Sequence, residues 1–354
     1  MESKKDTPLD KARQIITGYK GAKLRIMEVC GTHTHEIFKL GIRKLLPPNI
    51  ELISGPGCPV CVTPADFIDE AVYLAENKQV TICTFGDLVR VPGTKKNLAE
   101  ERTAGAKIQV VYTPLDAVNY AENHNDEQVV FLSVGFETTT PSSCLAVRKA
   151  RELKLDNFSI LTANKTMDSV YLAMKNSCDA YLYPGHVCAI TGTALLEKLA
   201  NKENISGVVA GFTASELLMA LAVTIKELEK QKPFFVNCYP RVVSAAGSKA
   251  AQKIVASMMK PCDTEWRGLG VIPDSGLQLN DEWQNFDARK IYNIPSMTGK
   301  SNPACRCGEI LQGKCAPPDC PLFGKICTPE HPVGACMVSH EGSCSAFYLY
   351  GGNS

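Results

Sequence analysis

Between Leu24 and about Pro240 the chain alternates short apolar runs with helical stretches, and no other feature limits its fold as strongly. The strand candidates are "KLRIMEV", "IELIS", "QVTICTF", "IQVVYT", "QVVFLSV", "FSILTA", "AYLYP", "GVVAGF" and "FFVNCY". Most are unbroken apolar segments, as expected of parallel strands covered on both faces. Stretches such as "PADFIDEAVYLAEN" and "SELLMALAVTIKELEKQ" lie between them and repeat their apolar residues at helical spacing. This βαβα order forms parallel sheets and places the chain in the α/β class.

About nine strands suit two sheets better than one. The polar segment "NYAENHNDEQ" (Asn119 to Gln128) reads as the connection, which predicts two α/β domains at 22–125 and 126–246. After about Gly247 the texture changes. One helix is expected in "SKAAQKIVASMMK", followed by "GLGVIPDSGLQLN" and a Cys/Pro/Gly-rich tail with weak periodicity. The third region, 247–354, packed with a helix from residues 1–20, buries little apolar surface of its own, so a covalent or metallic staple is expected there.

Hydrophobic residues are 45% and charged residues 21% of the 354, the range of soluble globular chains. A formal net charge of +1 gives no bulk field to attract nucleic acid or an anionic membrane. The start, "MESKKDTPLDKARQ", lacks the apolar core of a signal peptide, and the longest apolar run, Leu217 to Ile225 apart from Thr224, is too short to span a bilayer. The expected location is cytoplasmic. A reducing cytosol disfavours structural disulfides, so sixteen cysteines point to metal, cluster or redox work.

The chemistry-bearing residues fall at strand-to-helix turns, where open α/β sheets bind their ligands. In "MEVCGTHTHEIF" Cys30 ends a strand and His33 and His35 follow, with Thr34 as the expected helix N-cap. The positive end of that helix favours a thiolate at Cys30. Core packing, nucleophile and metal ligand all remain open, although "HTHE" lacks the zincin spacing. In "SGPGCPVCVTPADF" Cys58 and Cys61 form a C-x-x-C before a helix, with Thr63 as expected N-cap and Pro64 at the first helical position. This is a redox placement in preference to half of a zinc site, because no second C-x-x-C completes one. Glu137 in "SVGFETTTPSS" and His186, with Cys188, in "YPGHVC" are weaker candidates, each taken alone more at home as a structural loop residue. Thr213 and Glu216 make a capping box without chemistry. "SMTGKS" has Ile294 where a P-loop needs glycine, and no G-x-G-x-x-G follows a strand.

Seven cysteines lie after residue 300. Cys320, Cys327, Cys336 and Cys344 are separated by six, eight and seven residues, which is not the ferredoxin run. Four thiolates in such a segment suit a [4Fe–4S] cube or a zinc ion alike, with Cys305, Cys307 and Cys315 as spares. Together "EVCGTHTHEI", "GPGCPVCVTP", "GFETTTP", "PGHV" and "CPLFGKICTPEHPVGACMVSHEGSC" resemble the HypD family of [NiFe]-hydrogenase maturation proteins, over Glu28 to Cys344. The resemblance implies two similar α/β domains plus an iron–sulfur domain, and a redox-active scaffold rather than a conventional turnover enzyme. On it the Fe(CN)2CO group is assembled with a HypC-like partner and cyanide from a HypE-like donor. It further implies Cys320, Cys327, Cys336 and Cys344 as ligands of a [4Fe–4S] cluster, Cys30 as ligand of the iron being decorated, and Cys58 and Cys61 as the redox pair. His33, Glu137, His186 and Glu341 become polar residues of the working site. The rival reading is an iron–sulfur-dependent thiol–disulfide oxidoreductase in which Cys30 is incidental.

Overall fold

The computed structural model of the protein describes residues 6–351. All nine expected strands form: β1 Leu24–Glu28, β2 Ile50–Ser54, β3 Thr81–Thr84, β4 Ile108–Val110, β5 Val129–Gly135, β6 Phe158–Lys165, β7 Ala180–Pro184, β8 Gly207–Ala210 and β9 Phe235–Asn237. Two more follow, β10 Met259–Trp266 and β11 Gly270–Leu279, paired as an antiparallel hairpin. One sheet has the order β2-β1-β7-β8-β9 and is parallel throughout. The other has the order β10-β11-β6-β5-β3-β4, in which β3 to β6 are parallel and the hairpin adds antiparallel to β6. The class is therefore α/β with mainly parallel sheets.

The sheets do not follow the expected consecutive boundaries at 125 and 246. β1 and β2 pair with β7 to β9, so the first sheet is drawn from two distant parts of the chain, and the second is inserted between them. The segment read as a connection, Asn119 to Gln128, is the end of the helix Pro114–Asn123 and the turn into β5, within a single sheet. Nor is 247–354 a separate unit, since its hairpin completes the second sheet. That hairpin was hidden because its residues are mostly exposed without a regular alternation, with a bulge between Cys262 and Thr264, and because the helix before it stops at Met258, short of the expected Lys260. The expected N-terminal helix is present as α1, Pro8–Thr17, and packs on the helix Ala214–Leu228.

Strand parity explains where the tail goes. In β1, Leu24 and Ile26 face one apolar cluster with Ile16 of α1, while Met27 and Val29 face another. In β7, Ala180 and Leu182 join the first cluster, and Tyr181 and Tyr183 the second. Successive side chains of a strand point to opposite faces, so the sheet has two apolar faces to cover. Helices α1 and Ala214–Leu228 cover one. The tail, with Cys307, Ile310, Leu311, Cys336 and Met337, helps cover the other. The tail lacks a core because it borrows one. No helix among the described residues is long and apolar enough to cross a membrane.

Candidate functional site

The first sheet changes direction between β1 and β7. From β1 the chain steps outward to β2, and from β7 it steps the other way to β8 and β9. The loops after such a pair diverge and leave a crevice at the strands' carboxyl ends. Cys30 stands at the end of β1 and His186 just beyond β7, and the two face each other with Sγ 4.0 Å from Nδ1. Helix α2, Gly31–Lys39, begins four residues earlier than expected, so its N-cap is Cys30 and not Thr34.

That position does not yield a thiolate. Cys30 is buried, and desolvation pushes its thiol up to about 12, against the pull of the His33 and Thr32 amides. Glu341, reaching in from the tail, adds to the rise. The thiolate expected from the helix end is thus overruled by burial, which disfavours the charged form. A soft cation that displaces the proton reverses this balance.

His33 is fully buried, and its Nε2–H donates to the Gly211 carbonyl at 3.0 Å. Among the described residues its Nδ1 has no hydrogen-bond partner. Burial drives His33 down to about 3 and His186 down to about 4, so both imidazoles are neutral. Phe212 lies between them, 4.8 Å from the His33 ring and 5.1 Å from the His186 ring. Thr32 Oγ1 donates to Glu341 Oε1 at 2.6 Å, which fixes the carboxylate over the start of α2. Gly31 permits that approach, because a Cβ there would lie 2.5 Å from the Glu341 side chain. His35 sits further out, its Nδ1 3.2 Å from the His340 carbonyl.

Glu137 is one residue removed. It follows β5 of the other sheet, and its Oε1 accepts the Met167 N–H at 2.8 Å while Oε2 is buried without a hydrogen-bond partner among the described residues. Burial, and then Asp168, push its carboxyl up to about 8. Cys188 feels both Glu137 and Cys30 and so stands between them electrostatically. The structure therefore brings Cys30, His33, His186 and Glu341 together and links Glu137 to them through Cys188.

Cys58 and Cys61 lie on the segment that crosses from the first sheet to the second. Cys58, not Thr63, is a helix N-cap here, for the short helix α3, Pro59–Val62; α4, Ala65–Asn77, starts after Pro64. The Cys61 N–H donates to Cys58 Sγ at 3.3 Å, and the sulfurs are 2.7 Å apart. The loop before them packs on Cys30 itself. The Gly31 N–H donates to the Gly57 carbonyl at 2.9 Å, and a Cβ on Gly57 would lie 2.1 Å from Cys30 N. Gly57 is thus a close-approach glycine.

On its far side Cys61 meets the tail. Burial pushes its thiol well up, and Cys336 and Cys58 add to this. Cys336 is drawn down instead, because the thiols of Cys307 and Cys61 donate to its sulfur. Cys305 Sγ lies 3.2 Å from Cys307 Sγ, and Cys344 also hydrogen-bonds Cys307. The Cys320–Cys327 spacing is closed by backbone bonds, Phe323 N–H to Cys320 O and Gly324 N–H to Cys327 O, both 3.0 Å. The Val333 N–H donates to Cys327 Sγ at 3.3 Å. Of the spares, Cys305 and Cys307 join this sulfur nest, and Cys315 lies apart against Glu309. Sequence reasoning held Cys305 and Cys307 only as spares, because only the folded tail shows which thiols meet. Thr32 and Phe212 carried no signal. Among the described residues no set of three or more His, Cys, Asp or Glu side chains stands ready-arranged for a metal ion.

Residues 9–351 match the family model HypD, described as "Hydrogenase formation hypA family". The chain is 42% identical over 334 residues to the hydrogenase maturation factor HypD of Escherichia coli K12, covering 92% of this chain and 89% of that one. It is 41% identical to a putative hydrogenase expression/formation protein of Methanocaldococcus jannaschii, covering 93% and 92%. To the HypD maturation factor of Rhizobium leguminosarum it is 40% identical, covering 97% and 92%.

Proposed function

The chain belongs to the HypD family, and from that premise we propose that it is a hydrogenase maturation factor acting as a redox-active scaffold in the cytoplasm. On this reading Cys30, together with a HypC-like small partner, holds an iron ion as cargo while it gains the ligands of the Fe(CN)2CO group. A HypE-like protein donates the cyanide. The observation that carries the reading is the convergence of Cys30, His186 and Glu341 at one crevice, with the C-x-x-C loop packed on the Cys30 backbone.

Each residue has a task that follows from its surroundings. Cys30 arrives as a thiol and gives up its proton to bind a soft metal. His186, neutral and 4.0 Å away, is the nearest base to receive it. Glu341 sets negative charge beside an incoming cation. His33 and Phe212 wall the crevice and keep the imidazoles apart. Cys58 and Cys61 are the two-electron store, and Glu137 is a polar residue on the flank of the crevice.

The tail thiols fit a [4Fe–4S] cluster in donor type and burial. Gly334 leaves space where a Cβ would fall 2.5 Å and 2.6 Å from the Cys307 and Cys305 sulfurs. Such a cluster supplies single electrons at low potential. Cys320, Cys327, Cys336 and Cys344 are the proposed ligand set. Cys336 is the contested member, because it already accepts from Cys307 and Cys61, and Cys305 is the alternative fourth ligand.

The test is infrared spectroscopy of the anaerobic complex with a HypC-like partner, in the cyanide and carbonyl stretching region. Bands that vanish in Cys30→Ala support the scaffold. A complex without such bands, combined with disulfide reductase turnover through Cys58 and Cys61, favours the oxidoreductase reading instead.

A further inference from the structure

Lys165 ends β6 and is only 1% exposed. Its side chain reaches past β11 to β10, where Nζ donates to Thr264 Oγ1 at 3.0 Å and to Glu265 O at 2.7 Å. The ring of Trp266, the next residue, has its centroid 5.4 Å from Nζ. An ammonium has three protons to donate, and a buried charge is costly unless it is paired and hydrogen-bonded. Among the described residues Nζ has those two acceptors, and no carboxylate forms an ion pair with it. A neutral amine has two N–H groups, and both are used. Burial accordingly holds Lys165 down to about 7, against the pull of Asp66 on α4 and of Cys262 and Glu265 on β10. Arg289, on the helix Ala288–Ile291, adds to the fall, although Glu70 pairs with it at 2.7 Å.

These two bonds fasten a hairpin that is otherwise lightly held. β11 meets β6 at two register pairs, Gly276↔Lys165 and Leu277↔Asn164, and the Thr166 N–H donates to Ser275 O just beyond them. Gly276 leaves the space between the strands clear, since a Cβ there would lie 2.7 Å from Thr264 Cβ. After Trp266 the same hairpin turns through Arg267, which is buried and grips the end of α3. The Arg267 N–H donates to Val62 O at 2.9 Å, Nε to Thr63 O at 2.6 Å, and Nη2 to Pro92 O at 2.9 Å. The run from Thr264 to Arg267 is therefore held by Lys165 at one end and holds the C-x-x-C helix at the other.

We propose that Lys165 is a proton-operated latch: as a neutral amine it fastens the hairpin, and with it the Arg267 grip on α3, to the second sheet, and as an ammonium it loosens both. The latch needs no change at any thiol. An opened hairpin returns the lysine to water, where it keeps its proton up to about its ordinary 10.5, whereas the closed hairpin keeps it only up to about 7. Between those values opening takes up a proton, so each unit of rising pH favours the closed form by up to about tenfold. Below about 7 both forms are protonated, and the full cost of the buried charge falls on the closed hairpin.

The experiment is hydrogen exchange of the anaerobic full-length chain, read by mass spectrometry with labelling times scaled to the intrinsic rate at each pH. It measures how readily residues 259–279 and 58–63 open. From pH 6.5 to pH 9 the protection of both segments is expected to rise at least about tenfold. Lys165→Met has no proton to gain and is expected to show no such rise. Equal wild-type protection at the two pH values overturns the inference. A Lys165→Met chain that keeps the wild-type rise also overturns it, because another group then carries the effect. A rise confined to 259–279 overturns the link to α3. If Lys165→Met does not fold, Trp283→Phe takes its place, since it leaves Trp266 as the chain's one tryptophan. The Trp266 emission is expected to change with a midpoint near 7, as a charge appears 5.4 Å from the ring. An emission that stays flat from pH 5.5 to pH 8.5 overturns the inference.

Discussion

The crevice at Cys30 and the sulfur nest at Cys336 are both buried, both built at the ends of regular structure, and chemically opposite. The crevice mixes one thiol with two neutral imidazoles and a carboxylate held by Thr32. The nest is sulfur on sulfur, with Arg267 as the cation at its margin. A mixed set of donors and acceptors can move protons and take a cation. A set of packed thiols can share electrons or a cluster but has no base to spare. The C-x-x-C stands between them, touching Cys30 through Gly57 and Cys336 through Cys61. On the proposed reading, the difference keeps proton handling and electron handling in separate compartments joined by one short helix.

The comparison breaks most sharply at the tail. Wild-type protein prepared without oxygen should be brown, with about four iron and four sulfide per chain, the content of the cube itself. Cys327→Ala should lose essentially all of that absorption and leave the tail open to protease, whereas Cys30→Ala should keep both colour and resistance. Cys305→Ser and Cys336→Ser then decide the fourth ligand, since only the true ligand's loss bleaches the protein. Zinc in place of iron, from iron-replete cells, ends the cluster reading of the nest.

The second test falls on the crevice. Cys30→Ala removes one sulfur from a packed site, at roughly 1 kcal/mol or less of stability on the scale of core truncations. Iron–cyanide retention in the partner complex should nevertheless fall more than tenfold, because alanine offers no soft ligand. Full-strength bands in that variant mean that the iron is held elsewhere.

The third test separates the compartments mechanically. Gly57→Ala places a methyl 2.1 Å from Cys30 N and 2.4 Å from Cys30 Cα, so one loop must move. Overpacking of this kind costs about 1–3 kcal/mol. The urea midpoint should drop accordingly, and the infrared bands of the partner complex should broaden or shift. An unchanged midpoint means that the loops are not locked together as described.

Much of this was legible in the sequence because it is local. All nine strands between Leu24 and Pro240 were marked in the sequence, most by continuous apolar runs, and Cys30, Cys58, His186 and Glu137 by their places at strand ends. What was not legible is set by distance. Nothing within "RIMEV" or "AYLYP" says that β1 pairs with β7, about 150 residues away, yet that pairing creates the switch point and brings His186 to Cys30. β10 and β11 escaped because half-exposed strands with a bulge lack the period of a buried one. The thiolate expected at Cys30 failed for a related reason: helix position is local, and burial is not. Arg267 carried no motif at all. Its contacts, to the carbonyls of Val62, Thr63 and Pro92, are all made across the fold.

The last test lies at Glu137, on the flank of the crevice, and it is read through pH. Its folded-state carboxyl is raised to about 8 from an ordinary 4.5, by burial first and by Asp168 second. Between those values the native protein holds a proton that the unfolded chain has released. Stability therefore falls as pH rises across that window, since its slope with pH follows the protons bound in the unfolded state less those bound in the native. The contribution is fully present below the unfolded value and is lost as pH rises through about 8. Glu137→Gln has nearly the same shape, its amide oxygen can accept the Met167 N–H that Oε1 accepts now, and it has no proton to lose in this range. Wild type and variant should thus have similar urea midpoints at pH 5 in this respect. By pH 8.5 the variant should gain on wild type, and the gain should level off above that. Asp168, whose carboxyl burial also raises, loses a like-charged neighbour in the variant and adds to the gain at high pH. Midpoints whose difference does not change between pH 5 and pH 8.5 would show that Glu137 is ionised in the native protein throughout. It would then be a second fixed anion beside Cys188, and the flank of the crevice would be as charged as the side held by Glu341.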